Sequence, residues 1–345
     1  MGSPETVRLS IAAAMTLGFR RGKFFRNAKL GCINLLMEYD RGCIANCLYC
    51  GQAKEIADGP DCRSLIRVEW PSYPLEDVIK AINTTALKNH FVERVCVSSL
   101  TSPKAPEDLV SIVRKVKTGT GLKVSTLITP TSFTKAHFEA IKAAGVQNIT
   151  IAVDAATEGL FDKLRGKGAG GPHRWDRYLK GVEEAVMVMG NGRKGVGIHL
   201  IIGLGETEEE AAGLIQRCYD MGVSVHLFSF YPENGTGLED WTQPPIEQYR
   251  RVQLARHLID RGLSRFEKMK FESGALKEFG LPENELLSIV RNGKAFMTTG
   301  CTGCNRPFAN ETPTQAMKGL LRNYPFPPNA QDILTIEKQT EMAVS

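Results

Sequence analysis

The chain has 345 residues, of which 43 are basic and 38 are acidic, and its formal net charge at pH 7 is +5. This length suits one large domain or two small ones, and a composition that is 42% hydrophobic and 23% charged excludes wholesale disorder. The small positive charge gives no argument for a nucleic-acid partner, and no apolar run approaches the roughly 18 residues that a membrane span requires.

Short apolar runs alternate with amphipathic segments along most of the chain. We predict strands at 33–39, 93–99, 122–128, 147–153, 196–202, 223–230 and 266–272. We predict helices at 75–89, 106–117, 132–144, 175–189, 207–221 and 245–261. Repeated β-α units build a parallel sheet, and seven or eight of them would form a full or nearly full (β/α) barrel. The alternative is an open, doubly wound sheet.

Two shorter segments flank this central body. Residues 1–30 contain a predicted helix in the apolar run from Ile11 to Phe19. That run could pass for a short signal peptide, but Glu5 precedes it and no small-residue cleavage site follows. Residues 31–291 form the predicted barrel, and residues 292–345 form a cysteine-containing tail. We therefore expect an α/β fold: a full or partial (β/α) barrel of parallel strands with N-terminal helical and C-terminal cysteine-containing appendages.

Cysteine is the one residue type with an unusual count. The nine cysteines are at positions 32, 43, 47, 50, 62, 96, 218, 301 and 304. An odd number in so long a chain is not the pattern of a disulfide scaffold, and five of the nine form two tight clusters. This pattern indicates reduced thiols that bind metal, and hence a cytoplasmic protein.

The first cluster has the sequence CIANCLYC, in which Cys43, Cys47 and Cys50 follow a CxxxCxxC spacing. Three thiolates on one short loop can hold three irons of a 4Fe–4S cube and leave the fourth iron open. A zinc finger needs four ligands, usually in two pairs, so a zinc site is the weaker alternative. The loop directly follows the first predicted strand, at the face where barrel active sites form.

This loop resembles that of the radical S-adenosylmethionine (SAM) superfamily. Further segments are similar to biotin synthase and lipoyl synthase, and above all to the two-component, archaeal-type lipoyl synthases. They are DRGCIANCLYCGQAK at 40–54, RVEWP at 67–71, LRGKG at 164–168, HLIIGLGETEEE at 199–210, FYPENGT at 230–236 and GCTGCNRPFANETP at 300–313.

The resemblance implies that the three cysteines hold a 4Fe–4S cluster whose open iron binds SAM. A radical derived from SAM then takes hydrogen from an unactivated C–H bond. Asp154 matches an aspartate that contacts the adenosine ribose, although Ala152 replaces the family's preceding asparagine. Arg165 matches an arginine that neutralises the methionine carboxylate. Ser98 and the loop residue Tyr49 complete the expected cofactor-binding set.

The second cluster, GCTGCNR, contains Cys301 and Cys304. By itself a CxxC pair fits a structural zinc half-site or a redox pair. In the sulfur-inserting members that this chain resembles, such cysteines hold an auxiliary 4Fe–4S cluster that donates sulfur. Further ligands are then needed, and we expect Cys32 first, because it opens the first strand, and Cys62 second.

Two other cysteines receive a different interpretation. We interpret Cys218 as a buried core thiol and Cys96 as a packing residue within a strand. Biotin synthase has cluster cysteines on later strands, where this chain has Ser125 and Gly197.

The resemblance further implies sulfur insertion at C6 or C8 of an octanoyl-lysine carrier domain, shared between two proteins. The expected partners are an octanoylated lipoyl carrier protein or domain, a paralogous radical SAM subunit, and an electron donor such as ferredoxin or flavodoxin. The basic stretch Arg20 to Lys29 could attract an acidic carrier, or form an ordinary solvated face. No nucleic acid or membrane is expected.

Three alternatives remain open on the sequence. One is another biotin-synthase-like reaction on the same barrel, either biotin synthesis or cofactor maturation. A second is an RNA-modifying radical enzyme, which the lack of a basic appendage disfavours. The third is a non-enzymatic iron–sulfur or zinc scaffold protein.

Overall fold

The computed structural model describes residues 2–56, 64–65, 68–88, 90–190, 192–309, 311 and 321–340. Its strands are β1 Thr6–Leu9, β2 Cys32–Leu36, β3 Ser64–Leu65, β4 Val68–Glu69, β5 Ser72–Pro74, β6 Arg94–Ser98, β7 Lys123–Ile128, β8 Val146–Asp154, β9 Val196–Ile202, β10 Ser224–Ser229, β11 Lys270–Glu272 and β12 Ala275–Glu278. Its α-helices are α1 Ile11–Thr16, α2 Leu75–Lys88, α3 Ala105–Thr120, α4 Lys135–Ala143, α5 Glu158–Arg165, α6 Trp175–Met189, α7 Glu208–Asp220, α8 Ile246–Asp260, α9 Glu283–Asn292, α10 Arg306–Ala309 and α11 Ala330–Gln339.

Eight of these strands form one sheet in the order β10-β9-β8-β7-β6-β2-β1-β5. The run from β2 to β10 is parallel, whereas β1 pairs antiparallel with both β2 and β5. The predicted α/β fold is therefore confirmed, in the form of a partial rather than a full barrel. Within the described residues, no helix is both long enough and apolar enough to cross a membrane.

The predicted strand at 266–272 does not join the barrel. A turn of 3-10 helix occupies Phe266–Lys268, and β11 then pairs antiparallel with β12 in a separate hairpin. Ser273 and Gly274 connect the two strands, and both have positive φ, which is the backbone of the tight turns that favour hairpins. The chain therefore reverses at the point where a seventh barrel unit would have required it to continue.

The N-terminal segment contributes a strand that the sequence analysis did not predict. Strand β1 extends the sheet beyond β2, and its Arg8 is buried against Glu38 at 3.3 Å. The predicted helix is present but short, and the Ser10 side chain caps it by accepting a hydrogen bond from the backbone N–H of Ala13. Residues 1–30 thus include an edge of the sheet as well as a helix.

Side chains alternate along the barrel strands between the helix layer and the barrel interior. On β6, Val95 and Val97 are fully buried in the core, while Arg94, Cys96 and Ser98 line interior cavities. This period of two is the ordinary geometry of a strand. The barrel interior is therefore partly polar, and it contains the candidate site.

The C-terminal tail closes the gap between β10 and the start of β2. The backbone N–H of Leu227 on β10 donates to Thr299 Oγ1 at 2.8 Å, and Asn305 Nδ2 donates to the carbonyl of Lys29 at 2.5 Å. Between these anchors, Gly303 packs against the backbone of Gly31, one residue before β2. The tail is thus part of the barrel wall.

Candidate active site

The three-cysteine loop is anchored at the carboxyl ends of the barrel strands. The backbone N–H of Ile44 donates to the carbonyl of Thr101, beyond β6, at 3.0 Å. The N–H of Leu48 donates to the carbonyl of Leu164, in α5, at 2.8 Å. A side chain at Gly51 would meet the carbonyl oxygen of Ser64 at 2.6 Å, so the loop passes too close to the body for any larger residue.

The side chains of Cys43, Cys47 and Cys50 line one cavity at this face. Cys47 is buried, and the other two are half-buried. Burial raises the pKa of the Cys47 thiol to about 11, an effect that the nearby Arg165 opposes. The backbone nitrogen of Gln52 lies 3.4 Å from Cys50 Sγ, and its N–H is placed to donate a hydrogen bond to a thiolate there.

This set of donors fits a 4Fe–4S cluster. Among the described residues, no three His, Cys, Asp or Glu side chains converge closely enough to bind a single metal ion. A cube does not require such convergence, because each thiolate binds a different iron. Three thiols around one cavity, with no fourth protein ligand on the loop, would leave one iron open.

The same cavity is also lined by a hydrogen-bonded cluster of Tyr49, Asp154 and Arg165. The Tyr49 hydroxyl donates to Asp154 Oδ2 at 2.8 Å, and Arg165 Nη1 donates to the same oxygen at 2.6 Å. Asp154 ends β8 with a left-handed φ of 66°, beside a register shift in the pairing with β9. Such a conformation costs about 1–3 kcal/mol in a non-glycine residue and is concentrated at functional sites.

Arg165 is 1% exposed and makes further bonds inside the protein. Its Nη2 donates to the Tyr178 hydroxyl at 2.9 Å, and its Nη1 donates to the carbonyl of Val153 at 3.0 Å. Its buried Nε has no acceptor among the described residues. The predicted set of Tyr49, Asp154 and Arg165 is therefore one unit, and Ser98 lines the same cavity.

We expect Arg165→Met to lower the free energy of unfolding by about 3–5 kcal/mol, because it leaves the buried Asp154 carboxylate without its counter-charge. Tyr49→Phe removes one hydrogen bond to that carboxylate and should cost only about 1–2 kcal/mol. Urea denaturation of the metal-free protein measures both values. Equal losses in the two variants would contradict the central role of Arg165 in this cluster.

The structure brings Cys32, Cys96, Cys301 and Cys304 together around a second cavity, deeper in the barrel. The single S–H of Cys32 lies within hydrogen-bonding reach of both Cys304 and Cys96, and these contacts, together with burial, raise the pKa of Cys32. The contact with the Cys32 thiol, and then that with the Ser125 hydroxyl, lowers the pKa of Cys96 to about 7. Burial raises the pKa of Cys301 to about 12.

The predicted group of Cys32, Cys301 and Cys304 is thus close together in space, and its binding of a cluster stays a prediction. Cys62 lies outside the described residues. The side chain of Cys96 faces this cavity, so our interpretation of Cys96 as only a packing residue within its strand does not hold. The alternation of Arg94, Cys96 and Ser98 with two valines was the sequence signal for this orientation. Cys218 is a buried core residue of α7, as expected.

Two buried arginines flank the four-cysteine cavity. Arg94 and Arg306 are each 4% exposed, and the Nε of each has no partner among the described residues. Arg94 donates to Asn148 Oδ1 at 2.9 Å, and Arg306 lies over the Trp70 ring at 5.3 Å. Neither makes an ion pair with a carboxylate in the described part of the chain.

Unpaired buried charge is costly, so this arrangement favours an anionic group between the arginines. Thiolates that bind an iron–sulfur cluster would provide such a group. The donor set therefore fits an auxiliary cluster.

The two cysteine cavities adjoin each other. They share Leu127, His199, Phe228 and Arg306 as lining residues. The rings of His199 and Phe228 lie with centroids 4.6 Å apart. Burial lowers the pKa of the neighbouring His226 to about 4, which keeps its ring neutral at pH 7. One thin wall of side chains therefore separates the two groups of cysteines.

The position of the tail depends on the contact between Gly303 and Gly31. Gly303 has a φ of 82°, and a Cβ there would meet the Gly31 carbonyl carbon at 3.1 Å. We expect Gly303→Ala to move Cys301 and Cys304 away from Cys32, and so to lower iron binding at the second site while leaving the first intact.

Gly190→Ala is the matched control for this substitution. Gly190 has a φ of 67° but nothing within 4 Å of an added Cβ, so the variant tests backbone strain alone. Iron analysis and absorption spectra after anaerobic reconstitution measure the effect. If Gly303→Ala binds as much iron as Gly190→Ala, the close approach of the two glycines does not position the tail.

Comparisons with known proteins agree with this geometry. A family model described as the radical SAM superfamily matches residues 37–218, just over half of the chain. Biotin synthase of Bordetella pertussis is 26% identical over 219 residues, which are 62% of this chain and 60% of that protein. GTP 3',8-cyclase of Limosilactobacillus fermentum is 23% identical over 177 residues, which are 50% of each chain. The match thus spans only about 60% of the length of the curated biotin synthases.

Solved structures show the same fold. The crystal structure of the hydrogenase maturase HydG has a TM-score of 0.50 at 13% identity and covers 66% of this chain and 50% of that chain. The FeFe-hydrogenase maturase HydG from Carboxydothermus hydrogenoformans also has a TM-score of 0.50, at 15% identity, with 73% of this chain and 56% of that chain covered.

Proposed function

This chain belongs to the radical SAM superfamily, and within that family we propose that it inserts sulfur into an unactivated carbon chain. Specifically, we propose one component of a two-protein lipoyl synthase, acting at C6 or C8 of octanoyl-lysine on a carrier domain. The observation that carries the proposal is the pair of cysteine sets in adjoining cavities of one barrel. One cavity serves hydrogen abstraction, and the other holds the sulfur.

Family membership implies a 4Fe–4S cluster and SAM at the three-cysteine loop. When bound on Cys43, Cys47 and Cys50, the cluster supplies the electron that cleaves SAM. The unpartnered Nε of Arg165 is available to bind the methionine carboxylate, and the remaining lone pairs of Asp154 are available to a ribose hydroxyl. Their mutual hydrogen bonds fix both side chains before SAM arrives, which reduces the cost of ordering them.

The second site would hold an auxiliary 4Fe–4S cluster on Cys32, Cys96, Cys301 and Cys304, which supplies the sulfur atom. The buried Arg94 and Arg306 offset the negative charge of the thiolates. Arg306 lines both cavities, so its guanidinium faces the route between the two sites.

The wall between the sites suits a hydrocarbon substrate. Leu127 and Phe228 offer an apolar surface where the two cavities meet, and His226 beside them is neutral at pH 7. Transfer of an octanoyl chain from water to this surface would be favourable, and its C–H bonds would face the radical site. The same wall would hold the resulting carbon radical next to the sulfur source.

The proposed partners are an octanoylated lipoyl carrier, a paralogous radical SAM subunit, and an electron donor such as ferredoxin or flavodoxin. Arg20, Arg21 and Lys23 are exposed and could attract an acidic carrier domain. Arg26, in the same stretch, already pairs with Asp332 of α11 at 2.8 Å.

The test is mass spectrometry of an octanoyl-lysyl peptide after anaerobic incubation with SAM, reductant, this protein and its presumed paralogue. We expect the peptide to gain one sulfur atom when this protein acts alone and two when both proteins act. Omission of SAM is the control. Formation of 5′-deoxyadenosine without any gain of sulfur would contradict the proposal.

Biotin synthesis is the second candidate, because the relatives include biotin synthases and Cys96 faces the auxiliary cavity. Against it, Ser125 lies opposite Cys96 on β7, and Gly197 occupies β9. The sulfur-free precursor of biotin, placed in the same assay, distinguishes the two. Sulfur transfer to that precursor and not to the octanoyl peptide would favour biotin synthesis.

A further inference from the structure

A third cavity opens at the floor of the barrel, at the amino ends of the parallel strands. It holds about 460 Å³ and lies on the side of the second cysteine set opposite to the three-cysteine loop. It shares with the cavity of that second set four lining residues, Thr150, His226, Gly300 and Cys301. The floor cavity therefore reaches Cys301 without passing through the radical site or the substrate.

The lining of the floor cavity is cationic. Arg94, Lys123 and Arg193 contribute to it, and the described residues that line it include no aspartate or glutamate. Arg193 is already paired with Asp260 at 3.6 Å. Arg94 is buried and has no carboxylate partner among the described residues, and Lys123 is exposed at the rim. A positive cleft with low-dielectric walls concentrates small anions.

Cys301 is the thiol that this cleft exposes. It is half-buried and lines both the floor cavity and the cavity of the second cysteine set. Cys32 and Cys304 line only the inner cavity among those described. An anion drawn to Arg94 from the floor would thus meet the second cysteine set at Cys301.

We propose that the floor cavity binds a small anion that carries a nucleophilic sulfur atom, with hydrosulfide as the simplest case, and admits it to the second cysteine set. The inference rests on the proposed function, because a sulfur source that is consumed needs a supply from the side that the substrate does not occupy. Entry of the anion makes and breaks no covalent bond.

The first test compares alkylation of Cys301 by anionic iodoacetate and neutral iodoacetamide in the full-length, metal-free, reduced protein. Both reagents attack the thiolate, so the ratio of their rates cancels any change in the pKa of Cys301 and reports the local field. Peptide mass spectrometry measures the ratio at Cys301, and Cys43, in the other cavity, is the internal reference.

We expect Arg94→Gln combined with Lys123→Gln to lower the iodoacetate preference at Cys301 by about fivefold and to leave the ratio at Cys43 unchanged. Arg94→Lys keeps the charge and should retain the preference, which separates the field from a loss of folding. Lys80→Gln, on the exposed face of α2, is the surface-charge control. An unchanged ratio in the double variant overturns the anion site. Lys123→Gln alone, at an exposed residue, repeats the measurement without a risk to folding.

The second test addresses sulfur. In a Cys43→Ala, Cys47→Ala, Cys50→Ala background, iron and sodium sulfide can build only the second cluster. We expect the double variant to need about fivefold more sulfide for half-maximal reconstitution, as follows from the weaker attraction of an anion. The same need for sulfide as in the unsubstituted background overturns the entry route.

The two tests separate the failure of this inference from that of the proposed function. If Cys301 reacts preferentially with iodoacetate but no second cluster forms at any sulfide concentration, the auxiliary cluster is refuted, and with it the role of the floor cavity in sulfur entry. A cluster that forms normally without any anion preference would refute only the floor site.

Discussion

Replacing Cys43, Cys47 or Cys50 with alanine should abolish the formation of 5′-deoxyadenosine. In the proposed site each thiolate is one of three protein ligands to the cluster, so its loss would remove the iron geometry that leaves one position open for SAM. The expected rate is below about 1% of the unsubstituted protein, because the cofactor carries the bond cleavage and side chains cannot replace it. Liquid chromatography of the products measures the loss.

Cys218→Ala is the matched control, because it removes a buried thiol from α7, outside both cavities. It should lower stability modestly and leave SAM cleavage intact once the protein is folded. Circular dichroism should show that the loop variants retain the barrel. Cleavage at the full rate by a Cys47→Ala protein would refute the assignment of the loop.

Cys301→Ala and Cys304→Ala should separate SAM cleavage from sulfur transfer. The three-cysteine loop is anchored to the segments after β6 and α5, not to the tail, so the first cluster should survive these substitutions. The proposed sulfur source is held by the second set, so carbon–sulfur bond formation should fall below about 1%. Product analysis of 5′-deoxyadenosine and of the thiolated peptide in one sample measures both.

Cys96→Ala extends this comparison to the residue that the sequence analysis set aside. Because Cys96 is a proposed ligand of the second cluster, the variant should lose thiolation as Cys304→Ala does, and persistent thiolation would show that Cys96 only packs in β6. Full thiolation by both tail variants would make the tail structural, and a zinc half-site would then explain the CxxC pair better.

Most of the parallel sheet could be predicted because its strands carry local signals. Segments such as VGIHLII combine β-branched and apolar residues with helix caps on either side, and Thr207 does begin α7 with a capping box. The predicted strand at 266–272 failed for a local reason as well. Its β-branched and apolar content is low, and the Ser-Gly pair that follows it makes a hairpin.

The spacing of the cysteines along the sequence could not predict that Cys32, Cys96, Cys301 and Cys304 come together. This assembly requires the contact of Gly31 with Gly303 across most of the chain, and no local pattern encodes a long-range close approach. The first strand did fix Cys32 near a barrel end, which is why its position with the tail cysteines was predictable. The orientation of Cys96 could be predicted from the alternation along β6, but its mid-strand position, with Ser125 and Gly197 in place of further cysteines, favoured the packing interpretation.

The shared role of Tyr49, Asp154 and Arg165 was only partly visible in the sequence. Their identities matched known cofactor contacts, but the left-handed backbone of Asp154 and its bond to Arg165 are tertiary features. The segment at 67–71 and the end of the tail include residues outside the described part of the chain, so their likeness to lipoyl synthases stays a sequence observation.

The central claim is that one chain builds two separate cluster sites, and iron and acid-labile sulfide counts on matched variants test it most directly. After anaerobic reconstitution we expect about eight irons in the unsubstituted protein, the number in two cubes. We expect about four when the three loop cysteines are alanine, and about four when Cys32, Cys96, Cys301 and Cys304 are alanine. A count that stays at about eight without the second set, or zinc in place of iron, would contradict the account.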